Sequence, residues 1–504
     1  MTPVPSRVPN TQTASARVTA ICRARSGEVA RTTCRNDRPI PRESGTSGWL
    51  PCAHDHCPRA YPTAAGVNDP LVPRSTADRR RMLVRLCVPA TLTLMAEPLL
   101  GVVDAAIAGR LGAVELGALG LATSLLGGLT WVFNFLVFGT TSTVAQALGR
   151  ADAADAGRRV AHAGLVAAVL GGAAAVLVAV LARPVVQLSG AVPELVEPAV
   201  PYLQVRALGV PFMLVAFVGH GAFRGAGDTR RPLLVIAVAN LVNLALNLML
   251  VFGFGWGLAG IAAATVAAEV ITACWLALMG RARLGFPLSG HGLPGRAEVL
   301  ELATTSRDLF IRTASLVGSV AVISAAAARV GAETSAAHMV MWQVYLLLSF
   351  FLDGLAVAAQ TIMGRAAGAG AREVVRATVH DSLRWGLGVG VVLAAGLLAG
   401  QPVLVAAFTD DPGVSATVAT SWWLPSLLAP LHALVFILDG LLMGVQDYAF
   451  IRTWTATGSV LGAATAQVCV SLGGGLLSLW VCYEIVMLLR GVPMLLRSRD
   501  LHRR

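Results

Sequence analysis

The amino-acid sequence predicts an all-α integral membrane protein, with twelve transmembrane helices in two pseudo-symmetric six-helix bundles. Three observations lead there. Hydrophobic residues make up 55% of the chain and charged residues only 13%, against about 25% charged in a soluble domain, and the mean hydropathy is +0.68. Apolar runs long enough to span a bilayer recur along the chain. The arginines between those runs fall mainly on alternate loops.

Residues 1–80 precede the first run. They are rich in Arg, Pro, Ser and Thr and show no hydrophobic periodicity, so a disordered, dispensable extension is expected. They hold no signal-peptide h-region. The cluster Cys52-Ala-His-Asp-His-Cys57 has metal-ligand residue types, but its spacing fits no zinc motif. Of eight cysteines, Cys22, Cys34, Cys52 and Cys57 lie in this segment and the others are scattered through apolar runs, which is no disulfide framework.

Spans are read near 83–107, 115–146, 160–190, 200–222, 232–253 and 256–280, then near 308–328, 334–364, 378–408, 414–443, 451–472 and 474–496. Several are cut by Gly or Pro, which helices in lipid tolerate. This divides the chain into the extension 1–80, an amino-terminal lobe 81–290, a cytoplasmic linker 291–307, a carboxy-terminal lobe 308–497 and a basic tail 498–504.

Arginine placement tests the count. All 39 basic residues are arginine, and the net charge is +11. With the amino terminus inside, the loops after even-numbered spans hold Arg150, Arg158, Arg159, Arg230, Arg231, Arg281, Arg372 and Arg376, and the tail from Arg497 lands there too. The opposite side is read to hold Arg110, Arg183, Arg206 and Arg329. That bias places both termini in the cytoplasm. It also explains the basic balance without nucleic acid, for which no recognition module is visible.

An ordered repeat appears at an offset of 219 residues. Arg110-Leu-Gly-Ala113 corresponds to Arg329-Val-Gly-Ala332, Pro211 to Pro430 and Phe217 to Phe436, and Gly221, Gly225 and Asp228 correspond to Gly440, Gly444 and Asp447. Six spans per repeat make the repeats parallel, an arrangement suited to alternating access. Duplication kept only for packing is the plainer alternative.

Ionisable groups within spans are costly and therefore candidates for function. Asp104, near the end of the first span, has no arginine within a helical turn; it can take up and release a proton as its surroundings change, or simply cap an outer interface. Asn240, Asn243 and Asn247 share one face of the fifth span, where they suit a polar cavity or interhelical hydrogen bonds. Thr265 in the sixth span could face the same space. Pro89 and Pro98 remove backbone bonds from the first span and permit bending. Asp353 and Asp439 each precede a glycine in an apolar run, with no basic partner in reach by sequence; both are candidates for a carboxy-terminal cavity. Glu269 and Glu484 are weaker, since both could reach an interface. No phosphate-binding loop with lysine, recurrent metal spacing or enzyme constellation is present, so neither an enzyme, a cofactor nor an ATP-driven pump is expected.

These residues carry a resemblance. Asp104-Ala-Ala-Ile-Ala-Gly-Arg-Leu-Gly112, Gly221-Ala-Phe-Arg-Gly-Ala-Gly-Asp228-Thr, Asn243-Leu-Ala-Leu-Asn247 and the following Gly257–Thr265 stretch resemble motifs of the multidrug and toxic compound extrusion (MATE) family. Glu97-Pro98 and Phe350-Phe-Leu-Asp353-Gly resemble its DNA-damage-inducible protein F (DinF) branch. The likeness covers roughly residues 80–497. It implies a proton-coupled, or less often sodium-coupled, exporter of small organic and often cationic compounds. Asp104 falls on the family's protonatable carboxylate, Pro89 on its bending proline, and Asn243 and Thr265 on partners of that carboxylate. Asn247 departs from the pattern, since prokaryotic members often carry Asp there, which puts sodium binding in doubt. The expectation is a monomeric, multi-pass protein of the inner or plasma membrane. The alternative is a flippase for lipids or lipid-linked oligosaccharides; it would need arginines inside several spans, and Arg312 alone is expected within one.

Overall fold

The computed structural model describes residues 75–286 and 293–501, and over them every regular element is helical. Most of the expected extension, including the Cys52–Cys57 cluster, lies outside the described residues. Its expected boundary at residue 80 moves, because helix α1 (Thr76–Leu111) already starts at Thr76. The Ser75 hydroxyl accepts from the Asp78 amide at 3.0 Å and Asp78 sits in the first turn, so cap and dipole both favour a start there.

The amino-terminal half continues with α2 (Ala113–Phe133) and α3 (Phe135–Gly149), then α4 (Ala153–Leu188), capped by Asp152. Next come α5 (Pro193–Ala207) and α6 (Val210–Gly225), which bend by 49° at their junction. α7 (Arg230–Asn247) passes into a π-turn, Leu248–Gly253, and α8 (Gly257–Met279) follows. The carboxy-terminal half holds α9 (Arg296–Val330), α10 (Ala332–Gly368) and α11 (Arg372–Ala406). The pieces α12 (Pro412–Ser421), α13 (Trp423–Leu427) and α14 (Ala429–Gly444) come next, then α15 (Tyr448–Ser471) and α16 (Leu476–Ser498). The linker expected over 291–307 is helical from Arg296, because α9 extends below its span with Glu298 bonding back to the Gly295 amide.

Among the described residues, nine helical stretches are long and apolar enough to cross a membrane, or ten if the bent pair α5–α6 is one span. α2 and α3 together form one of them, broken at Asn134. The tenth and eleventh expected spans fall below that test: the tenth is divided among α12, α13 and α14, and the eleventh is α15. The protein is an all-α integral membrane protein.

Positions 219 residues apart adopt matching structures. Gly112 and Gly331, which join α1 to α2 and α9 to α10, have φ of 157° and 153°, a region that favours glycine. The carbonyl of Arg365 leaves no room for a Cβ at Gly149, and the carbonyl of Gln146 leaves none at Gly368. Residues 146 and 149 are the counterparts of 365 and 368, so this contact is reciprocal, as a two-fold axis between halves requires. Gly364 packs on Ala145, its own counterpart, where an added Cβ would lie 2.8 Å from the alanine methyl. Small residues allow this approach, and in lipid such close packing supplies much of the attraction between helices. α10 is the central helix, with 78% of its most apolar stretch buried, and it packs on α1, α3 and α14.

Candidate functional site

In the amino-terminal half, α1, α7 and α8 converge on Asp104. The residue is 7% exposed, and its carboxylate accepts from Asn247 Nδ2 at 2.8 Å. The same amide nitrogen reaches Asn243 Oδ1 at 2.9 Å, and Asn243 Nδ2 reaches Thr265 Oγ1 at 3.3 Å. Asn243, expected beside Asp104, stands one amide further along this relay, and Asn247, the residue that departs from the family pattern, is the direct partner. The i, i+4 spacing of Asn243 and Asn247 aligns them on α7, and the chain enters its π-turn immediately after Asn247, a distortion frequent at functional sites. Asn240 lies two turns nearer the arginine-rich end, on the same face, and donates to the Ala96 carbonyl of α1 at 3.2 Å.

The helix α1 runs unbroken through Pro89 and Pro98. Thr93 Oγ1 donates to the Pro89 carbonyl at 2.8 Å, a local tie in a helix that has lost two backbone bonds.

Asp104 also has a cation nearby that its local sequence does not reveal. Arg206 of α5, expected on the outer side, is mostly buried and pairs with Glu269 of α8 at 2.9 Å. It is close enough for its charge to act on Asp104. Glu269 is thus an interior partner, although its sequence position allowed an interface.

The carboxy-terminal half contributes to a cavity of about 430 Å³ between the halves. Trp131, Asn134 and Phe138 line it from one side; Arg312, Trp342, Tyr345, Asp353, Asp439, Tyr483 and Arg490 line it from the other. Nothing in its own stretch of sequence gives Asp439 a basic partner. It has two: Arg312 Nη2 donates at 2.6 Å, and Arg490 donates to the same oxygen. They are separated from it by 127 and 51 residues, so local inspection misses them. Asp353 lines the same cavity, within electrostatic reach of Arg312, Arg490 and Arg224. Beside the cavity, His432 and Glu484 form a buried pair at 2.8 Å, which corrects the interfacial reading of Glu484. Arg490, 3% exposed in α16, corrects the reading that Arg312 alone lies within a span.

The arginine-rich end of the cleft is closed by side chains that cross between halves. Gln146 Nε2 donates to the Gly444 carbonyl at 2.8 Å, and its counterpart Arg365 donates from Nε to the Gly225 carbonyl at 3.4 Å. Gln360 Nε2 reaches Ser142 Oγ at 2.7 Å, and Thr361 Oγ1 reaches the Arg224 carbonyl at 3.1 Å. Two of these bonds end on the Gly225 and Gly444 carbonyls, in the last turns of α6 and α14 where intrahelical donors run out.

Comparison with known proteins fits this architecture. A family model described as MatE matches each half, over residues 89–249 and 309–468. Protein DETOXIFICATION 44, chloroplastic, of Arabidopsis thaliana is 29% identical over 459 residues, covering 88% of this chain and 85% of its own. DNA damage-inducible protein F of Escherichia coli (strain K12) is 29% identical over 427 residues, covering 82% of this chain and 91% of its own. Among solved structures, MATE in the bent conformation matches with a TM-score of 0.79 at 20% identity, over 88% of this chain and 98% of that one. An outward-facing multidrug resistance MATE family transporter matches with a TM-score of 0.76 at 19% identity, over 86% and 97%. Matched by one family model in both halves and carrying a cleft between them, the chain belongs to the MatE family and is a membrane efflux transporter.

Proposed function

We propose that the protein exports small organic compounds in exchange for protons, by alternating access of a cleft between an amino-terminal lobe (residues about 81–290) and a carboxy-terminal lobe (about 308–497). The observation that carries this reading is Asp104, buried and held by an amide relay from α7 and α8. Ionised, the carboxylate accepts from Asn247; protonated, it loses its charge and much of its hold on that amide. Each proton taken up therefore loosens α1 from α7, and the prolines of α1 let that loosening reshape the cleft. The absence of a second carboxylate at position 247 favours protons over sodium. The arginine bias supports a plasma-membrane orientation with both termini in the cytoplasm, which makes the closed end of the cleft the cytoplasmic one. The aromatic walls of Trp342, Tyr345 and Tyr483 suit an apolar or cationic aromatic substrate.

A second reading draws on one observation. Arg312 and Arg490 both face the cavity, so a substrate bearing an anionic group, as in a lipid or oligosaccharide flippase, would find guanidiniums there once Asp439 gives them up. Asp104→Asn in proteoliposomes decides the coupling. The variant should insert normally and lose at least tenfold of efflux driven by a pH gradient while still binding substrate. Wild-type rates would move the coupling group to Asp353 or Asp439.

A further inference from the structure

On the membrane-facing side of the arginine-rich end, away from the cleft, α1, α10 and α11 enclose an open groove of about 450 Å³. Its upper walls are apolar: Phe351 of α10 and Trp385, Val392 and Leu393 of α11. Its rim carries Arg80 of α1 and Arg384 of α11, which have no hydrogen-bond or ion-pair partner among the described residues. The neighbouring Arg79 is engaged instead, nearly buried in an ion pair with Asp381. That pair joins α1 to α11 and sets Arg80 and Arg384 at one level.

The level is that of lipid headgroups. From Arg384 to the end of α11 at Ala406 the helix rises about 33 Å at about 1.5 Å per residue, close to the roughly 30 Å hydrocarbon thickness. Arg384 therefore stands where hydrocarbon gives way to phosphate, and Trp385 lies where interfacial aromatics prefer to sit. The floor is open as well, since a Cβ on Gly388 would meet nothing within 4 Å. In a bilayer such a groove is filled by lipid, and two unpaired guanidiniums at its rim select the headgroup. A guanidinium fork matches a phosphodiester, and a headgroup without a compensating cation leaves its charge to the arginines.

We propose that this groove is a binding site for an anionic phospholipid of the arginine-rich leaflet, its phosphate held between Arg80 and Arg384 and an acyl chain lying over Gly388 against Val392 and Phe351. The site bridges α1 and α11, which belong to opposite halves, and is separate from the transport cavity. It does not depend on which ion or substrate the protein carries.

The full-length protein, purified from membranes containing equal phosphatidylglycerol and phosphatidylcholine, tests the site by native mass spectrometry of retained lipid. The wild type should keep phosphatidylglycerol preferentially. Arg80→Gln with Arg384→Gln should weaken that preference at least tenfold, given the contribution of each basic residue near an anionic surface. Gly388→Phe should also expel the lipid while leaving both arginines in place. Equal retention of the two lipids by the wild type, or undiminished preference in the double variant, overturns the proposal. Retention by Gly388→Phe overturns the placement of the acyl chain. Displacement by millimolar inorganic phosphate would show a bare anion site and overturn the lipid assignment.

Discussion

Asp439 sits between two guanidiniums, Arg312 and Arg490. A buried carboxylate shared by two arginines is asymmetric towards mutation. Arg490→Gln leaves Arg312 on the carboxylate, whereas Asp439→Asn strands two cations beside each other. Breaking a buried pair costs about 3–5 kcal/mol, so Asp439→Asn should lower the unfolding midpoint in detergent by clearly more than Arg490→Gln does. Equal shifts would mean that one of the two contacts contributes nothing. Asp104 is the contrasting case, because its direct partner is an amide rather than a cation, so under the proposed proton coupling its protonation would disturb a hydrogen bond instead of dismantling an ion pair.

At the scale of elements, α1 is the helix with most to explain. It carries two interior prolines, the carboxylate Asp104 and contacts to α7, α8 and α10. Proline within a helix costs about 3 kcal/mol, so two of them in one span mark a helix kept deformable. Pro89→Ala should insert normally, raise thermal stability slightly and slow proton-driven efflux severalfold as α1 stiffens. Unchanged turnover with the gain in stability would assign Pro89 a static part. The α5–α6 break has a different cause. Gly209 at the bend lies directly against the Glu269 carboxylate and leaves no room for a Cβ, so this bend brings the Arg206–Glu269 pair into the lobe.

For the whole molecule, the pseudo-two-fold axis passes where Ala145 meets Gly364, and the reciprocal bonds of Gln146 and Arg365 close the same end. Opening that end requires both sets of contacts to part together, which makes the seal two-state. Gly364→Leu, whose side chain has no room beside Ala145 while this end is closed, should insert normally but slow transport at least tenfold by keeping the seal from forming. Transport at the wild-type rate would show that the cycle does not need this contact.

The sequence by itself determined the membrane class, the order of the helices, the duplication and the polar face of α7. All of these follow from periodicity, composition and repetition, which are properties of neighbouring residues or of one fixed offset. Asn243, Asn247 and Thr265 could be grouped with Asp104 because helical spacing puts the amides on one face and the resemblance supplied the rest. Only the tertiary structure decided that Asn247 is the direct partner, that Arg206 pairs with Glu269 within electrostatic reach of Asp104, that α9 begins at Arg296, and that Asp439 is held by Arg312 and Arg490. Those partners come from helices far apart in the chain. Which faces of two helices meet depends on the packing of small residues such as Gly149 and Gly368 across the bundle, and no local pattern records that register.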